Sequence, residues 1–418
     1  MFLAINKRKL ASSLKILLIT LVIFESSQLL SLYAGFSKEL AGFSFSAFFS
    51  ATFAGSIYLI LTNKRHNENL AFYYPALIFF VVFIVSMISA AFIFPKPITD
   101  WLPSLYAFLP IFSFYFLYLI KATAEDLAKA LIITTILVTL LLCLDSLSRI
   151  ELLDQYARLS IFDKYNRRIV LLKNEVILGI VILASVVISK NLRPSKTILC
   201  LATLLFCLFV QVKTMESRLG LAAFIISFIT IFFFNRTNKK AAALLFLAGA
   251  MLLLLLPSWL LQNSEIINSA VNLQDGGNIK IRIETVLFLK EIFYESYGLG
   301  VGMMSPTGNT NNILHSNQYI NFYDGGVFAT IAQFGALGIY IWYRVNFHGI
   351  KTLNNVAKIT NAESRHIPIA IIAFILGLTI SPLPLNLYLQ PWSAFVGGIV
   401  IYFIWRLAKE SNIKNYLN

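Results

Sequence analysis

Twelve stretches of about 20 apolar residues, joined mostly by short turns, constrain this chain more than any other feature of it. An uncharged helix of that length spans the roughly 30 Å hydrocarbon core of a bilayer. In hydrocarbon, only helices and closed barrels satisfy every backbone donor and acceptor. The stretches are 14–34, 43–62, 72–94, 101–120, 127–146, 172–189, 197–212, 219–235, 240–257, 326–343, 366–381 and 387–405. Composition closes off the soluble alternative. Hydrophobic residues make up 58% of the 418, charged residues only 13%, and the mean hydropathy is +0.76. A soluble globule is about half apolar and about a quarter charged. The expected fold is an all-α polytopic membrane protein of about 12 transmembrane helices with one large outer loop containing short helices.

The net charge of +14 reads first as a topology signal. Lys7, Arg8, Lys9 and Lys15 precede the first apolar run, which lacks a small-residue cleavage site and is therefore expected to be retained. With that end in the cytoplasm, every second turn should be basic, and each is. The sequence places Lys64 and Arg65, Lys121, Lys190 with Arg193 and Lys196, Arg236 with Lys239 and Lys240, and Arg344, Lys351, Lys358 and Arg365 there. Arg406, Lys409 and Lys414 follow the last stretch, so both termini are expected to be cytoplasmic. Orientation explains most of the cations, and nucleic acid is not an expected partner. Outer cations concentrate in the loop 147–173 (Arg149, Arg158, Lys164, Arg167, Arg168, Lys173) and at Lys213, Arg218, Lys280, Arg282 and Lys290. Positive charge on that face runs against the orientation rule and suits either an anionic ligand or a solvated, lipid-facing surface.

Three regions follow. Residues 1–257 carry the first nine stretches and the basic loop 147–173. Residues 258–325 form one long outer loop, and 326–418 carry the last three stretches and the tail. Within the loop, Ile283, Val286, Leu287, Ile292 and Phe293 recur at helical spacing, predicting an amphipathic helix from Arg282 to Tyr297. The run Gly298-Leu-Gly-Val-Gly302 should end it. No internal repeat or low-complexity tract is present.

The residues capable of chemistry are few. Three Cys without paired spacing argue against a disulfide framework or thiolate metal site, and no metal is expected. Of the four His, His66, His348 and His366 sit at inner turns and suit solvated or interfacial roles. His315 lies in the outer loop, in Leu-His315-Ser-Asn317-Gln-Tyr319, where it is either structural or placed to take a proton from a sugar hydroxyl. Arg218 at the head of its apolar stretch either snorkels to headgroups or holds a phosphate, and Glu216 is also near enough in sequence to pair with it. Arg282 heads the loop helix, where a guanidinium can bind phosphate oxygens in bidentate fashion. Glu25, beside Ser26, Ser27 and Gln28, fits a polar interhelical contact or a functional acid. No HExxH, Walker or dinucleotide-binding pattern occurs, and no cofactor is expected.

These residues together resemble the O-antigen ligase and O-antigen polymerase superfamily of bacterial envelope glycosyltransferases. Three patterns over about 210–345 carry the resemblance: Ser217-Arg218-Leu219-Gly220; Arg282 leading to Gly298-Leu299-Gly300-Val301-Gly302; and His315 leading to Gly325-Gly326 and Gly335-Ala336-Leu337-Gly338. The rest agrees only in hydropathy. The chain departs from the family in having His315-Ser316-Asn317 for a His-Asn pair, and no carboxylate in the last outer turn, 381–386.

The resemblance implies a multi-pass protein of the bacterial inner membrane whose site and large loop face the periplasm. The donor would be a glycan on undecaprenyl diphosphate. The acceptor would be lipid A–core for a ligase, or a lipid-linked repeat unit for a polymerase. Arg218 and Arg282 would stabilise the departing diphosphate, and His315 would orient or deprotonate the acceptor hydroxyl in an inverting, metal-independent transfer. Arg167 and Arg168 of the basic loop, Lys213, and Asn317 and Tyr319 beside His315 would bind substrate. His315 in this position favours the ligase. Outside the family, twelve helices also fit a lipid-linked oligosaccharide flippase, which would more often show repeats and broken midplane helices.

Overall fold

The computed structural model describes residues 2–26, 38–62, 74–92, 108–148, 173–189, 192–215, 218–235, 278–302, 327–360, 364–380 and 391–411. Every regular element among them is helical. In chain order they are α1 (Phe2–Glu25), α2 (Lys38–Thr62), α3 (Tyr74–Phe92), a 3-10 turn (Leu109–Phe112), α4 (Ser113–Leu119), α5 (Ala124–Ser148) and α6 (Lys173–Ser189). Then come α7 (Pro194–Met215), α8 (Arg218–Phe234), α9 (Asn278–Glu295), α10 (Val327–Ile359), α11 (His366–Ile380) and α12 (Pro391–Glu410). Three contain windows long and apolar enough to cross a membrane: Gly42–Leu59, Ala124–Leu144 and Pro194–Gln211. Shorter apolar helices fall on other expected stretches, including Tyr74–Ser89, Asn174–Ser189, Ala223–Phe234 and His366–Thr379. The stretch 240–257 lies outside the described residues.

The distribution of side chains differs from that of a soluble bundle, because large apolar residues lie outside as well as in the core. Large apolar residues point outward in stripes at helical spacing, such as Leu10, Leu14, Leu17 and Leu21 on α1 and Leu77, Phe80, Ile84 and Met87 on α3. Small hydroxylated residues point inward: Ser56, Thr134, Thr135, Thr139, Ser185 and Ser227 are buried. Such groups are tolerated in an apolar interior because each finds a carbonyl. Thr134, Thr135 and Thr139 donate to the carbonyls four residues back at 2.8–2.9 Å, and Ser185 donates to the His366 carbonyl at 2.8 Å. Small residues also let helices approach closely. A Cβ on Gly377 of α11 would lie 2.6 Å from the Ala223 carbonyl of α8. Phe49, Phe53, Phe112, Tyr115, Phe116 and Phe395 form an aromatic cluster joining α2, the 3-10 turn, α4 and α12.

Polar contacts sort the helix ends into two levels. At one level the middle of α1 meets the start of α5 (Ser12 to Asp126, 2.5 Å), and Tyr402 in the second half of α12 donates to the Ala122 carbonyl at 2.6 Å. Gly349 of α10 lies against Ile404 at the same level. At the other, Ser26 after α1 donates to Glu175 at the start of α6, at 3.4 Å. The end of α6 then meets the end of α8 (Ser189 to Asn235, 3.4 Å) and the start of α11, back at the first level. The start of α8, at Arg218, therefore lies at the level of Glu175.

Two expectations are corrected. The stretch 326–343 is only the first part of a helix that continues to Ile359, so Arg344, Lys351 and Lys358 are helical instead of lying in a turn. The loop helix begins at Asn278, four residues before Arg282, and buries Leu289, Ile292 and Ser296, whereas Leu287 is exposed.

Candidate functional site

The expected glycine turn after α9 is the best-defined structure near the candidate residues. Tyr297, Gly298, Gly300 and Gly302 all take positive φ (52°, 75°, 82° and 73°), which reverses the chain into a strap over 298–302. The strap is seated in a break in α10, where Gly335 adopts φ 59°, ψ −156°, a conformation essentially reserved for glycine. A helix broken there strands the carbonyls of Ala332 and Gln333 and the amide of Ala336. The strap satisfies all three. Val301 N–H donates to Ala332 O at 2.9 Å, Gly302 N–H to Gln333 O at 2.8 Å, and Ala336 N–H to Gly298 O at 2.9 Å.

The approach leaves no space for side chains. A Cβ on Gly300 would lie 2.6 Å from the Gly335 nitrogen, and one on Gly335 would overlap the Gly298 carbonyl. On the opposite side, Ser89 Oγ near the end of α3 donates to the Gly300 carbonyl at 2.7 Å, and a Cβ on Gly302 would lie 2.7 Å from Ser86 Cα. Ser296 links strap and helix, accepting from Gly300 N–H at 3.0 Å and donating to the Phe293 carbonyl at 3.1 Å. The loop helix α9 is thus fixed to the bundle by its C-terminal end. α10 runs from Gly335 towards Gly349, which touches the late part of α12, so the strap lies at the level of Glu175 and Arg218.

The residues expected to carry chemistry divide accordingly. Arg218 is the first residue of α8, and Lys213 lies in the last turn of α7. Arg282 sits in the second turn of α9. Arg167, Arg168, His315, Asn317 and Tyr319 lie outside the described residues. Among the described residues, no group of three or more His, Cys, Asp and Glu is placed to hold a metal ion.

Two acids not weighed from sequence are tied into the helix ends. Glu175 is 6% exposed, and Ser26 bridges to it while also donating to the Ile23 carbonyl at 2.7 Å. Beside Glu25, Ser26 makes an interhelical polar contact, and the buried acid of that pair belongs to α6. The signal was Asn174-Glu175 heading an apolar run. Asp126 completes a capping box with Thr123: Asp126 N–H donates to Thr123 Oγ1 at 3.0 Å, and Thr123 N–H to Asp126 Oδ2 at 3.3 Å.

No protein-family model matches the chain, and no curated protein matches it.

Proposed function

We propose that this chain is a multi-pass glycosyltransferase of the bacterial inner membrane, an O-antigen ligase that moves a finished glycan from undecaprenyl diphosphate to lipid A–core on the periplasmic face. In this reading the acceptor hydroxyl oxygen attacks the anomeric carbon as the bond to the diphosphate breaks. His315 takes the hydroxyl proton, and Arg218 and Arg282 receive the negative charge left on the diphosphate. Arg167, Arg168, Lys213, Asn317 and Tyr319 bind the substrates, and no metal takes part. The observation that carries the reading is one of level: Arg218 opens α8 at the end of the bundle where the strap grips α10. Two of the three sequence patterns therefore meet one face of the bundle.

The membrane frame of the proposal is supported by α10. Its outward face carries Ala336, Leu337, Tyr340, Tyr343 and Phe347, and then Lys351 and Lys358. Apolar contact with the bilayer thus ends near Lys351, where aromatic and basic residues mark a headgroup level. Gly335 lies 16 residues earlier, about 24 Å along the axis, close to the far boundary of a core about 30 Å thick. With the basic end inside, the strap and Arg218 lie at the periplasmic boundary. About twelve spans then bring both termini to the cytoplasm, with 240–257 as the ninth.

A lipopolysaccharide gel, run with the lipid-linked pool from a strain lacking this chain, tests the proposal. Bare core with long polymer stranded on undecaprenyl diphosphate is expected, restored by wild type and not by His315→Ala. Core carrying a single repeat unit would instead assign the polymerase, which shares the leaving group and differs in acceptor. An unchanged ladder would overturn both.

A further inference from the structure

The outward face of α10 changes character once along its length, and the change has the shape of a phospholipid. Ala336, Leu337, Tyr340, Tyr343 and Phe347 are exposed and follow one another at helical spacing. From Tyr340 to Lys351 the face runs about 16 Å along the axis, close to half of a core about 30 Å thick and so to one leaflet. From Arg344, which lies among these rings, the same face turns basic. Arg344, His348 and Lys351 are spaced four and three residues apart, which stacks them on adjoining turns. They are close enough that both Arg344 and Lys351 act on His348. Tyr343 and Phe347 stack with centroids 5.3 Å apart, and Phe347 meets the His348 ring edge-on at 6.2 Å.

Among the described residues no carboxylate pairs with Arg344 or Lys351. The bundle shows elsewhere what a compensated cation looks like: Lys129 lies 3.2 Å from Glu125, and Arg406 lies 2.7 Å from Glu410. Two neighbouring cations at a headgroup level, with no counter-charge among the described residues, attract an anion, and the apolar track leading to them selects one that carries hydrocarbon chains.

We propose that the face of α10 from Tyr340 to Lys351 binds an anionic phospholipid of the inner leaflet. Its chains lie along Tyr340, Tyr343 and Phe347, and its phosphate rests between Arg344 and Lys351. His348 contributes a ring N–H. The proposal rests on the membrane orientation argued above and not on the transfer chemistry, so its failure leaves the glycosyltransferase reading standing.

Native mass spectrometry of the full chain released from detergent, with phosphatidylglycerol or phosphatidylcholine added, tests it. Wild type is expected to retain phosphatidylglycerol in preference to phosphatidylcholine. R344Q/K351Q should bind phosphatidylglycerol at least fivefold more weakly, and the charge-conserving R344K/K351R should retain it. K129Q, which removes a paired cation, should bind as wild type does. Equal loss in K129Q, or undiminished binding in R344Q/K351Q, would overturn the proposal. Displacement of the lipid by excess inorganic phosphate would overturn it too, because the site would then belong to the free ion. Should R344Q/K351Q fail to fold, H348Q/F347S carries the same expectation of weakened binding, and undiminished binding there overturns it equally.

Discussion

The amide of Ala336 donates to the carbonyl of Gly298 at 2.9 Å, although 38 residues separate them and each belongs to a segment that would otherwise be left unsatisfied. Ala336 has lost its intrahelical acceptor because α10 is broken at Gly335, and Gly298 sits in a turn whose positive φ aims its carbonyl outward. Each irregularity completes the other. An unsatisfied buried backbone group costs roughly 1–3 kcal/mol, so neither the break nor the strap is stable alone.

Gly335→Ala is therefore expected to act on both. The backbone conformation at 335 costs a residue with a Cβ about 1–3 kcal/mol, and the added methyl collides with the Gly298 carbonyl. The thermal midpoint of the detergent-solubilised protein should fall, and amide exchange should accelerate at Val301 and Gly302 as well as at Ala336. Faster exchange at Ala336 alone would show that the strap does not depend on the break.

Ser89→Ala tests the other wall. The hydroxyl makes one buried hydrogen bond to Gly300, and losing it leaves a carbonyl short of a donor, a cost of about 1 kcal/mol. In a double-mutant cycle, Ser89→Ala and Gly335→Ala should be coupled, because both act on the same five residues. Strict additivity in thermal unfolding would mean that α3 and α10 hold the strap independently.

The helices were legible because their signal is local: about 20 apolar residues in a row need no partner to be recognised. The end of α9 was legible for the same reason, since Gly298, Gly300 and Gly302 announce a reversal. The break at Gly335 was not. Gly335-Ala-Leu-Gly338 reads as continuous helix, and what sets the conformation of Gly335 is a strap more than 30 residues earlier together with Ser89 on a third segment. The length of α10 was hidden differently. Arg344 and Lys351 end an apolar run, and charge there reads as the end of a helix although it marks only a change in what the helix faces. Of the candidate site, the positions of Lys213 and Arg218 at helix ends follow from the bounds of the apolar stretches, whereas Glu175 is visible only once α1 and α6 are seen to meet end to end.

Removal of the α5 cap is a further prediction. Thr123→Ala deletes the acceptor for Asp126 N–H and the hydroxyl that holds its carboxylate, at a cost of about 1 kcal/mol. Asp126 is also bound to Ser12, so the loss should loosen α1 around Ser12 as well. Accelerated exchange confined to 123–126, with α1 unchanged, would separate the two contacts.

The proposed diphosphate site makes a sharper demand. Arg282→Lys retains charge and removes the planar fork of donors. If Arg282 binds the leaving phosphate in bidentate fashion, ligation of polymer to core should fall about 10²–10³-fold, as it does when one preorganised donor to a developing charge is removed. The membrane level of the protein should stay unchanged. Wild-type polymer transfer by Arg282→Lys would remove the bidentate role, and loss of the protein from the membrane would assign the residue to folding.

Orientation can be read directly from Tyr297, which is 93% exposed at the strap, and Lys358, which is exposed near the far end of α10. The native thiols are poor reporters, since Cys207 is buried and Cys143 and Cys200 are partly so, and a cysteine-free background removes them. In that background a membrane-impermeant maleimide added to spheroplasts should label Tyr297→Cys and not Lys358→Cys. Lysis should expose the second without changing the first. The reverse pattern would place the strap, and with it Arg218, in the cytoplasm, where no undecaprenyl-linked polymer is joined to lipid A–core. That single result would end the ligase proposal and move the cations of α10 to the periplasmic side.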